Sequence, residues 1–141
     1  RKFWMLNAST RKEHDSIGER SLPNNVYYGI HTLRALENFP ITGVCLDHFP
    51  EFVKALAMVK LAAARANREL GALDGEREKF IVSACQDVID GQYVKQFVVD
   101  MIQGGACTSA NMNANEVIAI IANETLGARK EVTISSTQMT T

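Results

Sequence analysis

The chain has 141 residues, 46% hydrophobic and 22% charged, with 15 Lys and Arg against 16 Asp and Glu. One globular domain is what that length carries, and the composition is too rich in core-forming residues for wholesale disorder. A formal net charge of −1 gives no electrostatic support to a nucleic-acid or anionic-membrane partner, and none is expected.

Cys45, Cys85 and Cys107 are odd in number and irregular in spacing. They form neither a disulfide framework nor a zinc pattern, and read as free thiols of a reducing, cytoplasmic compartment. Apolar runs fall far short of the roughly 20 residues that span a bilayer, and no charged stretch followed by an apolar one opens the chain as a secretory leader does. The first residue is Arg1 rather than Met, which is expected of a processed chain or of a piece of something longer.

Residues 1–25 mix charge with Ser, Asn and Pro and are expected to form an extended arm or loop. Val26-Tyr27-Tyr28-Gly29-Ile30 is a β-favouring run closed by Gly, a strand or a tight bend. A helical turn or two follows between Thr32 and Asn38, broken by Phe39-Pro40 through Gly43. The clearest helix spans residues 51–70, with Phe52, Leu56, Val59, Ala63, Ala66 and Leu70 as its apolar stripe, Pro50 before it and Gly71 after it. A second long helix runs from Asp74, a natural N-cap, to Asp90, with Gly91 as its stop and Ile81, Ala84, Cys85 and Val88 as its buried stripe. A β-branched stretch lies around Phe97, Val98 and Val99. The last helix covers about Ala110 to Leu126 and is closed by Gly127; Val117, Ile118, Ile120 and Ile121 point to both sides of it, so it should be surrounded by partners. Residues 128–141 read as an irregular tail.

The strongest candidate for chemistry is the loop Gln103-Gly104-Gly105-Ala106-Cys107-Thr108-Ser109, which feeds the last helix. Glycines let backbone approach a ligand closely, and the first N–H groups of a helix lack intrahelical acceptors and favour negative charge. Thr108 and Ser109 add hydroxyls, and Asn111 and Asn113 add amides. A small carboxylate or phosphate suits this loop, although it lacks the Lys of a phosphate-binding P-loop. The competing reading is a capped, buried helix whose hydroxyls only satisfy backbone donors. Cys107, beside a helix start, is a candidate reactive thiol, though no His stands near it in sequence. His31, next to the two tyrosines and near Arg34, is a candidate acid–base or orienting group against a structural histidine. Arg20 and Arg34 are able to hold a carboxylate bidentately, against ordinary surface ion pairs. Arg11-Lys12-Glu13-His14-Asp15 carries ligand-type side chains, but nothing pairs with them at metal-ligand spacing, and it reads as a solvated charge run.

Two regions resemble one family. Arg11-Lys12-Glu13-His14-Asp15 with Gly18, then Tyr27 through Arg34 and Glu37-Asn38-Phe39-Pro40-Ile41, resemble the amino-terminal region of aspartate ammonia-lyases. Gln103 through Ser109, with Asn111-Met112-Asn113 and Asn115-Glu116-Val117, resembles the first signature region of the aspartase and fumarase superfamily. The likeness covers about residues 11–127, and its Tyr-Tyr-Gly and Gln-Gly-Gly wording points to the aspartase branch rather than class II fumarases. It implies a mainly α fold: the small helical amino-terminal domain of a three-domain homotetramer subunit, with an extended arm and short β segments. The implied reaction is reversible deamination of L-aspartate to fumarate and ammonia without a required cofactor, divalent-metal activation being left open. Carried over by position, the substrate-holding donors fall on Thr108, with Ser109 and Asn111 beside it. Cys107 departs from the Gly that family members carry there, and a positive φ at that position would make its Cβ costly. The family's Ser-Thr-Asn segment is not matched by Ser135-Ser136-Thr137-Gln138. Its Thr-His pair, the mobile Ser loop that supplies the base, and the central and carboxy-terminal helical domains are expected to be absent. The chain alone is therefore expected to be inactive, with apolar surface exposed on its last helix. A fumarase-type hydro-lyase domain and a non-catalytic helical binding module are the competing readings.

Overall fold

The computed structural model describes residues 9–127. In chain order it forms strands β1 (Thr10–Asp15) and β2 (Gly18–Pro23), then helices α1 (Ile30–Asn38), α2 (Pro50–Glu69), α3 (Gly75–Ile89) and α4 (Thr108–Leu126). Single 3-10 turns at Leu46–His48 and Val94–Gln96 bend the connections before α2 and after α3. The irregular tail expected after residue 127 lies outside the described residues, as does Ser135-Ser136-Thr137-Gln138.

The expected arm is instead a hairpin. β1 pairs antiparallel with β2 from Thr10 opposite Pro23 to Asp15 opposite Gly18. The Asp15 carboxylate closes the turn by accepting from the N–H groups of Ile17 at 2.9 Å and Gly18 at 3.1 Å, a local side-chain device that composition does not advertise. The charge run is not wholly solvated either. Along β1 residues alternate between exposed and half-buried, and Arg11, Glu13 and Asp15 share the inward side. Val26 to Gly29 bends at Tyr27 rather than forming a strand, and its polar partners are side chains: Tyr27 N–H donates to Gln96 Oε1 and Gly29 N–H to Glu116 Oε2, both at 2.9 Å.

α3 buries Ile81, Ala84, Cys85 and Val88, the expected stripe, and Asp74 caps it by accepting from Glu76 and Arg77 N–H. Gly91, left-handed at φ 90°, turns the chain out of it. α2 takes in Pro50, which was expected to stand just before it, and is rotated from the expected stripe by about one residue. Its buried positions are Val53, Ala57, Lys60 and Ala64, while Phe52, Val59 and Leu70 are 40%, 62% and 81% exposed. α2 and α3 form an antiparallel pair, and α4 packs across them and against α1. α4 is the core helix: Ala110, Ala114, Val117, Ile118, Ile121, Ala122 and Leu126 are among its buried residues. The expectation that α4 exposes apolar surface is therefore overturned. The connection after α3 contributes Phe97 and Val99, both buried.

Candidate functional site

The chain enters α4 through three consecutive left-handed residues, Gly105 at φ 76°, Ala106 at φ 51° and Cys107 at φ 65°. Only Gly takes this conformation without a steric cost, so two of the three positions are strained. The positive φ that would penalise Cys107 is thus present, and its thiol is exposed. Two side chains hold the turn. Thr108 Oγ1 donates to Gly105 O at 2.5 Å, and Gln103 Oε1 accepts the Ala110 N–H at 2.7 Å while its amide donates to Asp100 O at 3.0 Å.

The donors of the first turn can be accounted for one by one. The Thr108 N–H reaches Gly105 O at 3.1 Å, the Ala110 N–H is taken by Gln103, and the Asn111 N–H reaches Cys107 O at 3.1 Å. Among the described residues, that leaves the Ser109 N–H as the first-turn backbone donor without an acceptor, beside its own half-buried hydroxyl. Asn111 Oδ1 accepts from Lys60 Nζ at 2.5 Å, across the seam between α2 and α4. Asn113, in contrast, is fully buried and committed to the fold: its Oδ1 accepts from Val98 and its amide donates to Gln96 O, both at 3.0 Å.

The other candidate residues do not join this loop. Arg34 holds Asp15 bidentately at 2.6 and 2.8 Å, and the guanidinium keeps that carboxyl well below the usual carboxylate range. Arg20 faces Glu37 at 3.5 Å. Both arginines thus sit in ion pairs. His31 is exposed and lines a cleft of about 300 Å³ with Glu13, His14, Glu116, Ile120 and Asn123. No residue of the Gly104–Ser109 loop lines that cleft.

Sequence reasoning gave no role to four groups that do most to shape this part of the fold. Glu116, 5% exposed, projects from α4 and caps α1 from outside: its two oxygens accept from the N–H groups of Gly29, His31 and Thr32 at 2.9, 2.9 and 3.0 Å, and from Thr32 Oγ1 at 2.6 Å. Glu13 takes the Ile30 N–H at 2.8 Å. Asp100 draws the Thr42–Gly43 turn onto the loop approach by accepting from Thr42 N–H and Oγ1, Gly43 N–H and Ile102 N–H at 2.7 to 2.9 Å. Burial pushes the Asp100 carboxyl up, but these donors together outweigh it and hold it at about 2. Lys60 is the fourth, a lysine on the buried face of α2. Such pairings link residues tens of positions apart, and no local spacing signals them.

Among the described residues, no cluster of three or more His, Cys, Asp and Glu side chains is placed to hold a metal ion, and no helix is long and apolar enough to cross a membrane. Residues 18–139 match a family model described as lyase. The chain is 57% identical over 123 residues to an aspartate ammonia-lyase of Pseudomonas aeruginosa, covering 87% of this chain and 26% of that protein. It is 53% identical over 122 residues to a class II fumarate hydratase of Halobacterium salinarum, covering 86% and 26%. Its fold superposes on the recombinant class II fumarase of Schistosoma mansoni with a TM-score of 0.84 at 32% identity, covering 93% of this chain and 28% of that one. The chain therefore spans about a quarter of the length of the curated relatives it matches.

Proposed function

We propose, for a chain that belongs to the lyase family and to its aspartase and fumarase superfamily, that residues 1–127 are the amino-terminal domain of an aspartate ammonia-lyase. The enzyme would be a cytoplasmic homotetramer that interconverts L-aspartate with fumarate and ammonia. This domain would supply one wall of the active site. In that reaction a base removes the proton next to the β-carboxylate, and the carboxylate becomes a doubly charged aci-carboxylate before ammonia leaves. Donors aimed at that carboxylate hold it from the ground state onward and orient the neighbouring C–H bond for the base.

The observation that carries the reading is the left-handed turn Gly105-Ala106-Cys107 at the start of buried helix α4. It lays an uncommitted Ser109 N–H, two hydroxyls and the Asn111 amide at one helix end, where the dipole favours anionic oxygens. Thr108 donates its proton to Gly105 O within the loop, so holding a carboxylate requires its hydroxyl to rotate. Asn111 is placed one helical turn from Thr108 and completes the set.

A second reading has a specific observation behind it. Identity to the fumarate hydratase is 53%, close to the 57% to the aspartate ammonia-lyase, and a carboxylate-holding loop serves either leaving group. The test is a chimera of residues 1–127 with the remaining domains of the Pseudomonas aeruginosa relative, assayed with aspartate and with malate. Turnover of aspartate alone is the expected result. An assembled protein that Cys107→Gly leaves inactive on both substrates would remove the catalytic reading in favour of a non-catalytic helical module.

A further inference from the structure

Lys60 stands between Ala57 and Ala64 on the face of α2 that packs into the core, and it is 7% exposed. Lysine is almost never that buried without a paired role. Its Nζ reaches across to the first turn of α4 and donates to Asn111 Oδ1 at 2.5 Å. An ammonium has three donors and no acceptor, so the amide atom that faces it must be the oxygen. This settles which way the half-buried Asn111 side chain is turned: its NH2 end is directed away from Lys60. Asn111 and Thr108 are one turn apart on one face of α4, above Asn115.

We infer that Lys60 is a positioning residue for the carboxylate loop, locking the Asn111 amide so that its Nδ2 donors rather than its oxygen are left for a dicarboxylate substrate. The inference rests on the aspartase reading above and adds to it a residue that touches no substrate. A buried lysine is a costly way to fill a helix seam. Burial pushes the Lys60 ammonium down, with Cys85 of α3 acting in the opposite direction, and a well-packed apolar side chain in place of a buried cation is commonly neutral or stabilising. A free amide in the same place would rotate between donor and acceptor faces, and half of its orientations would point a lone pair at a carboxylate.

The experiment uses the same chimera with Lys60→Met, Asn111→Ala and the double variant. An amide fixed by Lys60 holds substrate oxygens in both ground and transition states, so Lys60→Met is expected to raise KM for aspartate about tenfold or more and to change kcat far less. Because Lys60 acts through Asn111, Lys60→Met is expected to add little in the Asn111→Ala background. Lys60→Gln, which keeps one N–H donor, is expected to recover part of the affinity. An unchanged KM in Lys60→Met, or an equal further loss in the double variant, overturns the inference while leaving the aspartase reading intact. Failure of both Lys60 variants to assemble makes the residue structural and also overturns it. Absence of turnover in the unmodified, assembled chimera is the separate signature that the aspartase reading itself fails, and the inference falls with it.

Discussion

Cys107 holds φ 65° and ψ 21° at the N-cap of α4, with no side-chain hydrogen bond to the helix in return. A Cβ in this region crowds the following carbonyl at a cost of roughly 1–2 kcal/mol, which Gly avoids. Cys107→Gly is therefore expected to stabilise the fold by about 1 kcal/mol, raising the urea midpoint at an unchanged m-value. Cys107→Ala keeps the Cβ and is expected to bring no gain, so an equal gain from both variants would assign the effect to the thiol instead. A second prediction concerns Asp100, whose carboxyl is held at about 2 against an ordinary 3.8. A depressed folded-state pKa gives stability that is fully present above the unfolded value and is lost as pH falls through the folded one. Asp100 thus stabilises the fold above about pH 4, and its share fades between 3.8 and about 2. Asp100→Asn replaces one accepting oxygen with a donor that faces N–H groups. Wild type is expected to exceed the variant in urea midpoint at pH 5, with the gap closing as pH is lowered toward 2. A gap independent of pH would show that the carboxylate charge contributes nothing.

At the scale of elements, α3 was legible in the sequence and α2 only in part. Asp74, Glu76, Glu78 and Gly91 mark both ends of α3, and its apolar residues occupy a single face, so the buried stripe follows from spacing alone. In α2 the alanines at 55, 57, 62, 63, 64 and 66 place apolar groups around the whole helix. The 3.6-residue period then fits two faces almost equally, and the lysine at position 60 argues locally for the wrong one. Tertiary packing decided the register. The hairpin escaped notice for a different reason: Leu22 is its one fully buried apolar residue, and it is held by polar contacts. Arg11 reaches the carbonyls of Pro23 and Val26 at 3.0 Å and that of Tyr28 at 2.5 Å. The loop before α4 stands out in the sequence by resemblance, whereas the long-range pairings of Glu116 with α1, Asp100 with Thr42 and Lys60 with Asn111 are contacts across 51 to 87 positions. Two valines of one helix test the observed register. Val53 is fully buried and Val59 is 62% exposed. Val53→Ala is expected to cost about 2 kcal/mol through lost burial and a residual cavity, and Val59→Ala to stay within about 0.5 kcal/mol. Equal costs in chemical denaturation would contradict the register.

For the molecule as a whole, holding a dicarboxylate and breaking its C–H bond are separate tasks, and the proposal above gives the described residues only the first. The α4 face offers N–H, hydroxyl and amide donors, while the amine of Lys60 lies below the surface and faces Asn111. A general base must come within about 3 Å of the proton it removes. Yet His14, His31, Glu13 and Glu116 line a different cleft, where the two carboxylates are occupied with the N-terminus of α1. Donors that bind ground and transition states alike do not by themselves raise turnover. Residues 1–141, purified away from any other lyase, are therefore expected to form no fumarate from aspartate above a buffer blank, by ultraviolet absorbance and by chromatographic detection of the product. The chimera that restores the remaining three quarters of the relative's length serves as the positive control. Fumarate from the purified chain at a rate that scales with its concentration, and that Ser109→Ala or Asn111→Ala reduces, would overturn this division of labour. It would require a base within these residues, and His31, as an exposed imidazole of the cleft, would be the first residue to replace.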